Sequence, residues 1–398
     1  MQLFSPEFLI CLILIFGLHW SLPTRFRPAL LLLAGLGFAA SHAMAFTVLY
    51  VVLGLVCYWV GKQLEDPHKR RPALLILSLV IVLGNLTVWK FIAMPGSDML
   101  GRQVTNTARQ SFPAYAEVAI PVGISYLSFR LVHYLIERYR GTLADTGLTD
   151  FLSYVFFFPV FLAGPLLRFN EYEKTRTSVL PSLLVFNAAL ARILLGVGKK
   201  ILLADPIGSW AHPILENPLE NTPATLVAAL YGASFQLYMD FSGYSDIAIG
   251  LGRLFGFTIP ENFDYPFFKR NIAEFWRHWH ITLHRFFRDY VFLPIFGYRA
   301  TPFKLYLGIG VTIFLFQVWH QASLNFVLLG LYHGLGVIGH QLFQRFKRSR
   351  PRLRKLTKSR PFQPIAILLT VSYFSLGNVL FMTDALRFWE VIQRMLGL

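Results

Sequence analysis

The chain has 398 residues, of which 55% are apolar, 16% aromatic and only 15% charged, whereas a soluble domain carries about 25% charge. A soluble reading needs roughly two or three domains whose cores hide long apolar runs recurring along the whole length, so one membrane domain over 1–398 is the simpler expectation. The net charge of +16 fits positive-inside loops, anionic headgroups or an acidic partner, while nucleic acid is the weakest partner because no binding module accompanies the basic residues.

The first apolar run, Phe8 to Trp20, follows a stretch without Lys or Arg and ends in Leu-Pro-Thr-Arg. It lacks the basic region and small-residue cleavage site of a signal peptide and reads as a first span. Cys11 and Cys57 both lie inside hydrophobic stretches, which excludes a disulfide framework and leaves metal ligation by sulfur without a ligand set.

Apolar segments follow in order near 6–21, 29–43, 45–61, 73–93, 116–136, 150–167, 183–203, 223–241, 303–319, 323–343 and 362–382. These predict an all-α polytopic membrane helix bundle with about 10–11 spanning or partly spanning helices, the shorter ones tilted or re-entrant. Arg25 and Arg27 mark one loop, and Lys62, Lys69, Arg70 and Arg71 mark another two segments later, which the positive-inside rule puts in the cytoplasm. The loops 94–114 and 205–222 fit the outside, the second carrying Asp205, Glu216 and Glu220 with no Lys or Arg. Residues Arg345 to Arg360 contain nine Lys or Arg and no acidic residue, which predicts a cytoplasmic loop.

The region 256–302 interleaves charges with aromatic residues and is too polar to face lipid. A helix from Asn271 to Tyr290 would place Trp276, His280 and His284 on one face, at the interface or lining a watery cavity. His280 and His284 have the i, i+4 spacing of a metal pair, but the sequence offers neither the accompanying Glu nor a third ligand. Two further polar stretches interrupt apolar sequence: Met239 to Asp246, where Gly243 predicts a helix break, and Gln317 to Asn325, followed by Leu331-Tyr332-His333-Gly334. By spacing alone, His320 reads either as a hydrogen-bonded structural group or as a base, and Asp240, Asp246, His320 and His333 have the alternative reading of a transporter or flippase pathway, which inverted repeats would favour and the sequence does not display.

Several ordered motifs then carry a resemblance. They are Asp-Phe-Ser-Gly-Tyr-Ser-Asp at 240–246, Pro-Glu-Asn-Phe at 260–263, Glu-Phe-Trp-Arg-His-Trp-His-Ile-Thr-Leu at 274–283, Phe-Arg-Asp-Tyr at 287–290 and Trp-His at 319–320. Upstream stand Ile-Pro-Val-Gly-Ile-Ser-Tyr at 120–126 and Phe-Pro-Val-Phe-Leu-Ala-Gly-Pro at 158–165. Together they resemble the membrane-bound O-acyltransferase superfamily, in its bacterial branch of alginate O-acetylase and teichoic-acid D-alanyl transferase, over a core of 115–340.

The resemblance implies that His320 is the principal catalytic residue and His280 the second. It also implies that Asp240, Ser242, Tyr244, Asp246, Asn262, Trp276, Trp279, Arg288, Asp289, Trp319, Asn325 and His333 shape the substrate passage. His320 would act as general base, while His280, with Asn325 or an indole N–H, would orient the acceptor or stabilise the oxyanion. One departure is visible: Gln321 stands where the family usually has glycine.

On this resemblance no cofactor or metal is bound. The acyl thioester donor, an acidic acyl carrier protein or acetyl-coenzyme A, comes from the cytoplasm, and the acceptor is an envelope glycan met from the outer side of a bacterial cytoplasmic membrane. A periplasmic or extracellular acyltransferase partner and membrane lipid complete the expected partners. The acyl group, D-alanyl or acetyl, stays open.

Overall fold

The computed structural model describes residues 5–65, 71–93, 121–175, 182–299, 301–321 and 323–397. Among these the secondary structure is helical without strands, and contacts divide the chain into two compact units. The expected outer loop 94–114 lies outside the described residues.

The first unit comprises 1–89, 119–197 and 244–260. It holds α1 (Pro6–Ser21), α2 (Arg27–His42), α3 (Met44–Leu64), most of α4 (Pro72–Ala93), α5 (Ile124–Arg140), α6 (Leu148–Val155), α7 (Phe169–Thr175) and nearly all of α8 (Leu183–Gly198). Ser5 caps α1, its Oγ accepting from the Phe8 N–H at 3.2 Å, with Pro6 in the first turn where no intrahelical donor is needed.

The apolar run 150–167 does not span as one helix. It breaks after Val155 into a 3₁₀ turn at Phe158–Val160, where Pro159 removes a backbone donor. The buried Arg130 guanidinium compensates, donating to the carbonyls of Tyr154 at 3.2 Å, Val155 at 2.8 Å and also Val160. The Tyr154 carbonyl also accepts from the Phe157 N–H at 3.2 Å, and the guanidinium supplies further donors in an apolar core. Close approach is made by glycine: a Cβ on Gly35 would come within 1.9 Å of the Phe156 carbonyl oxygen.

The second unit comprises 90–118, 198–243 and 261–398. A π-helical turn over Lys199–Ala204 leads into α9 (Asp205–Glu216), so the expected 205–222 loop is largely helical, with a 3₁₀ turn at Pro218–Glu220. Next comes α10 (Pro223–Leu254), counted with this unit as far as Gly243 and with the first from Tyr244, a 32-residue helix that runs unbroken through Gly243, contrary to the expected break. Its carboxylates have ion-pair partners, described below, and the helix keeps its own backbone hydrogen bonds.

The C-terminal part continues with α11 (Ile272–His278), α12 (Ile281–Phe287), α13 (Leu293–Phe296), α14 (Pro302–Val318), α15 (Leu324–Arg348) and α16 (Pro351–Lys358). They are followed by α17 (Phe362–Met382) and α18 (Ala385–Leu396). The basic stretch 345–360 is therefore mostly helix rather than loop.

Small residues and interhelical hydrogen bonds hold these helices, as expected where lipid and core are equally apolar. A Cβ on Gly330 would meet the Phe314 backbone at 3.0 Å, which brings α15 close to α14. Tyr332 and Tyr373 stack at 4.3 Å, and the Tyr332 hydroxyl donates to the Tyr373 carbonyl at 2.8 Å, tying α15 to α17.

Four helices among the described residues are long and apolar enough to cross a membrane: Met44–Leu64, Pro72–Lys90, Leu324–Arg348 and Phe362–Met382. Pro6–Ser21, Leu148–Val160 and Pro302–Val318 are apolar but shorter. A polytopic helical membrane protein is thus the architecture seen.

Candidate active site

The segment Asn271 to Tyr290 does not form one helix. α11 is capped by the Asn271 side chain, which accepts from the Glu274 N–H at 2.9 Å, and it ends at His278. His280 then adopts φ +46°, a left-handed conformation rare outside glycine, and α12 begins at Ile281. The stretch 262–264 supplies the partners that a continuous helix would have supplied. The Asn262 carbonyl accepts from the Ile281 N–H at 2.8 Å, and the Asp264 N–H donates to the His278 carbonyl at 3.1 Å. Left-handed backbone at a non-glycine residue costs on the order of 1–3 kcal/mol and persists where its surroundings enforce it.

The same stretch fixes the His280 ring. Its Nδ1 lies 3.0 Å from Asn262 Oδ1, and that oxygen also accepts the Thr282 hydroxyl at 2.8 Å. An amide oxygen already accepting one donor makes Nδ1 the protonated nitrogen and leaves Nε2 with its lone pair. Nε2 is buried with no hydrogen-bond partner among the described residues. Phe241 packs edge-on at 4.7 Å, and burial pushes the imidazole pKa down to about 3. His280 therefore offers an acceptor, which fits orienting an alcohol and not donating to an oxyanion.

His320 follows α14. The Trp319 N–H donates to Leu315 and the His320 N–H to Gln317, at 3.0 and 2.9 Å, before the chain turns into α15. The ring is surrounded by Trp319, Phe381, Phe316 and Phe326, with centroids 4.5, 5.4, 5.9 and 6.0 Å away. In this connection, outside the four candidate spans, burial first and the nearby Lys90 charge second hold the imidazole pKa well below its usual value. It is neutral, as a base must be.

Phe316 stands between the two imidazoles, 6.1 Å from His280 and 5.9 Å from His320. All three border a cavity of about 50 Å³, together with Trp276, Trp279 and His333. His333 packs edge-on against Trp276 at 4.8 Å. A water needs roughly 10–15 Å³ measured this way, so the space suits a few atoms.

Other residues singled out in the sequence fall elsewhere. Asp240 pairs with Lys200 at 2.6 Å, and Lys200 also pairs with Asp205 at 2.8 Å. Asp246 and Tyr244 belong to the first unit, where Asp246 pairs with Arg192 at 2.6 Å. The buried Ser242 hydroxyl lacks a hydrogen-bond partner among the described residues and does not line this cavity.

Arg288 pairs with its neighbour Asp289 at 2.7 Å at the start of a π-helical turn, Arg288–Phe292. Asn325 donates to the Thr383 carbonyl at 2.9 Å and accepts from the Ala385 N–H at 3.1 Å, joining α15 to the turn before α18. Asn262 lies behind His280, and Trp319 beside His320.

One side chain that sequence reasoning passed over reaches this site. Lys90, in the last turn of α4, donates to the carbonyl of Trp319 and, at 3.0 Å, to that of His320. The signal was present: a lysine inside the predicted segment 73–93 is an ionisable group in apolar sequence.

A second cavity of about 470 Å³ lies in the same unit, bordered by α11, α15, α16 and α17. Arg270, Glu274, His340, Gln344 and Lys347 contribute its polar lining, and Phe343 and Phe362 part of its apolar lining. Tyr373 faces this space and its neighbour Phe374 the smaller one.

Sequence comparison places these features in a known class. Residues 100–383 match the membrane-bound O-acyltransferase family, and the chain belongs to that family. It is 36% identical to a probable alginate O-acetylase of Pseudomonas aeruginosa over 84% of this chain and 63% of that protein. It is 31% identical to a teichoic acid D-alanyltransferase of Streptococcus thermophilus over 65% of this chain and 68% of that protein. A peptidoglycan O-acetyltransferase of Helicobacter pylori is 27% identical over 92% of this chain and 73% of its own length. The chain spans slightly less than two thirds of the length of the Pseudomonas aeruginosa relative.

Proposed function

We propose that this protein is a membrane O-acyltransferase that moves a small acyl group from a cytoplasmic thioester to a hydroxyl of a cell-envelope glycan, with His320 as general base. The observation that carries the reading is the meeting of two neutral, aromatic-packed imidazoles on one small cavity in a chain of this family.

The alcohol pKa is far above neutrality, so attack needs its proton removed as the C–O bond forms. Neutral His320 takes that proton while the alcohol oxygen adds to the thioester carbonyl. The C–S bond then breaks, and the thiolate recovers the proton from the imidazolium. Base catalysis of this kind typically contributes about 10²–10⁴-fold. His280, presenting Nε2 as an acceptor, orients the alcohol.

The lining of the small cavity is aromatic, aliphatic, amide and imidazole. A D-alanyl group would bring an ammonium into those surroundings, and an uncompensated buried charge costs several kcal/mol. Acetyl is therefore our reading of the acyl group, and acetyl-coenzyme A or an acyl carrier protein the source. The larger cavity and the basic helix α16 are our reading of the donor's approach from the cytoplasm, opposite the glycan. Acidic carriers and coenzyme phosphates would both be drawn to that positive surface.

The test is His320→Ala in the full chain. Envelope acetyl ester should vanish while the amount of protein in the membrane is unchanged; normal acylation in that variant would refute the assignment.

A further inference from the structure

Lys90 lies at the end of an apolar helix, yet its ammonium reaches a turn 230 residues away in sequence. A helix leaves its last four carbonyls without intrahelical donors, and its C-terminal end carries partial negative charge. α14 ends at Val318 with Trp319 as its C-cap, so the Trp319 carbonyl belongs to that unsatisfied end and the His320 carbonyl lies just beyond it. Lys90 Nζ donates to both and stands 4.7 Å from the centroid of the Trp319 ring. An ammonium has three N–H groups, and two carbonyls with one ring face give each a destination. A lysine in this setting is costly unless partnered, and here its partners are the backbone and ring immediately around the proposed base.

We infer that Lys90 is a positioning residue for His320: its ammonium pins the Trp319-His320 turn and thereby aims the imidazole into the small cavity. The inference rests on the reading of His320 as base. Lys90 itself contacts neither donor nor acceptor; it acts through the backbone of the residue that does.

A second consequence follows from its charge. Among the described residues, the titratable groups around the imidazole are Lys90 from α4, His280 from the turn between α11 and α12, and His333 from α15, while α17 contributes Asn378 and Phe381 and α14 contributes Phe316 and Gln317. Lys90 is the charged member of this set, and it disfavours the imidazolium. Removing it should let His320 protonate at higher pH.

The experiment uses the full chain in detergent, with acetyl-coenzyme A as donor probe and an alginate oligosaccharide as acceptor probe. Lys90→Met should lower kcat about 100-fold with the KM for acetyl-coenzyme A changed less than about twofold, because misplacing a reactive group by an ångström has effects of that size. Lys90→Arg, which also donates to carbonyls, should recover about a tenth or more of the wild-type kcat.

Carbethoxylation of His320 by diethyl pyrocarbonate, followed by peptide mass spectrometry over a pH range reaching well below the ordinary histidine pKa of about 6.5, supplies a readout independent of turnover. Its midpoint should move to higher pH in Lys90→Met. If wild-type protein transfers no acetyl group, the functional reading fails, and the carbethoxylation midpoint alone decides the role of Lys90. Lys90→Gln replaces Lys90→Met if the latter does not accumulate. Unchanged kcat and midpoint, or losses that only follow the amount of folded protein, would overturn the inference.

Discussion

The two cavities of the second unit are built from overlapping helices and have opposite characters. The smaller, about 50 Å³, is walled by aromatic rings around His280, His320 and His333. The larger, about 470 Å³, carries Arg270, Glu274, Lys347 and His340 beside apolar side chains. α11, α15 and α17 contribute to both, so neighbouring residues such as Tyr373 and Phe374 serve different spaces. The difference separates two demands that one space meets poorly. Acyl transfer by a neutral base gains from excluded water, whereas a donor carrying phosphates gains from exposed positive charge.

The sharpest way to break that comparison lies in the small cavity. Loss of the His320 imidazole should abolish transfer, whereas His280→Ala should retain the base and lose orientation, lowering kcat about 10²-fold. Asn262→Leu should cost about tenfold in kcat, because the His280 ring loses the acceptor that fixes its tautomer, a second-sphere effect usually smaller than loss of the ring. Single-site kinetics on the three variants should give this order. Equal losses for Asn262→Leu and His320→Ala would mean that the bend at His280 collapses rather than loosens.

The electrostatics give a pH prediction. Burial holds both imidazoles below the ordinary histidine pKa of about 6.5, with His280 at about 3. The acid limb of kcat should accordingly fall below pH 6.5, with turnover flat through neutrality. The same depression bears on stability. The unfolded chain takes up these protons first, so the folded state loses stability as pH falls from about 6.5 toward the folded values. An acid limb above 6.5 would assign the proton transfer to another group.

Donor chemistry tests the small cavity's neutrality. With matched carriers, acetyl should be transferred at least about tenfold faster than D-alanyl, a difference of about 1.4 kcal/mol, which is modest against the cost of an unpaired buried ammonium. Equal rates would show that the ammonium finds a partner, and the proposed acyl preference would fall.

Much of this arrangement was legible in the sequence. The apolar runs 6–21, 45–61 and 362–382 became α1, α3 and α17 nearly residue for residue, because spans are dictated by length and hydropathy. Trp276, Trp279, His280, His320 and His333 were all singled out, and the structure gathers them on one cavity. The bend at His280 was not legible. Periodicity over 271–290 favours a helix, and the break is supported by the stretch 262–264, through the carbonyl and side chain of Asn262 and the N–H of Asp264. Gly243 misled in the opposite sense: tertiary packing carries a glycine inside α10 although its propensity disfavours it. Lys90 stood out as an ionisable group in an apolar run, but what it does there was not legible, because its partners are carbonyls, which leave no trace in a sequence.

The smallest expected effect belongs to the larger cavity's surroundings. Arg345, Arg348, Arg352 and Arg354 are exposed on the end of α15 and on α16, while Lys347 and Thr357 from the same helices line the cavity itself. One account makes these arginines an anchor on anionic lipid, worth about 1 kcal/mol per basic residue near the surface. The other makes them a steering surface for an acidic carrier. Replacing all four with glutamine separates the accounts, since the lining of the cavity is kept. Steering predicts a KM for a carrier-bound donor raised a few-fold with kcat unchanged, the contrast with wild type shrinking as salt is raised, because screening beyond about 10 Å at 0.1 M salt removes the advantage being tested. Free acetyl-coenzyme A, whose charge is more compact, should feel less of the change. Anchoring predicts unchanged donor kinetics in detergent and weaker retention of α16 on anionic vesicles, and that outcome would confine the donor's recognition to the residues lining the cavity.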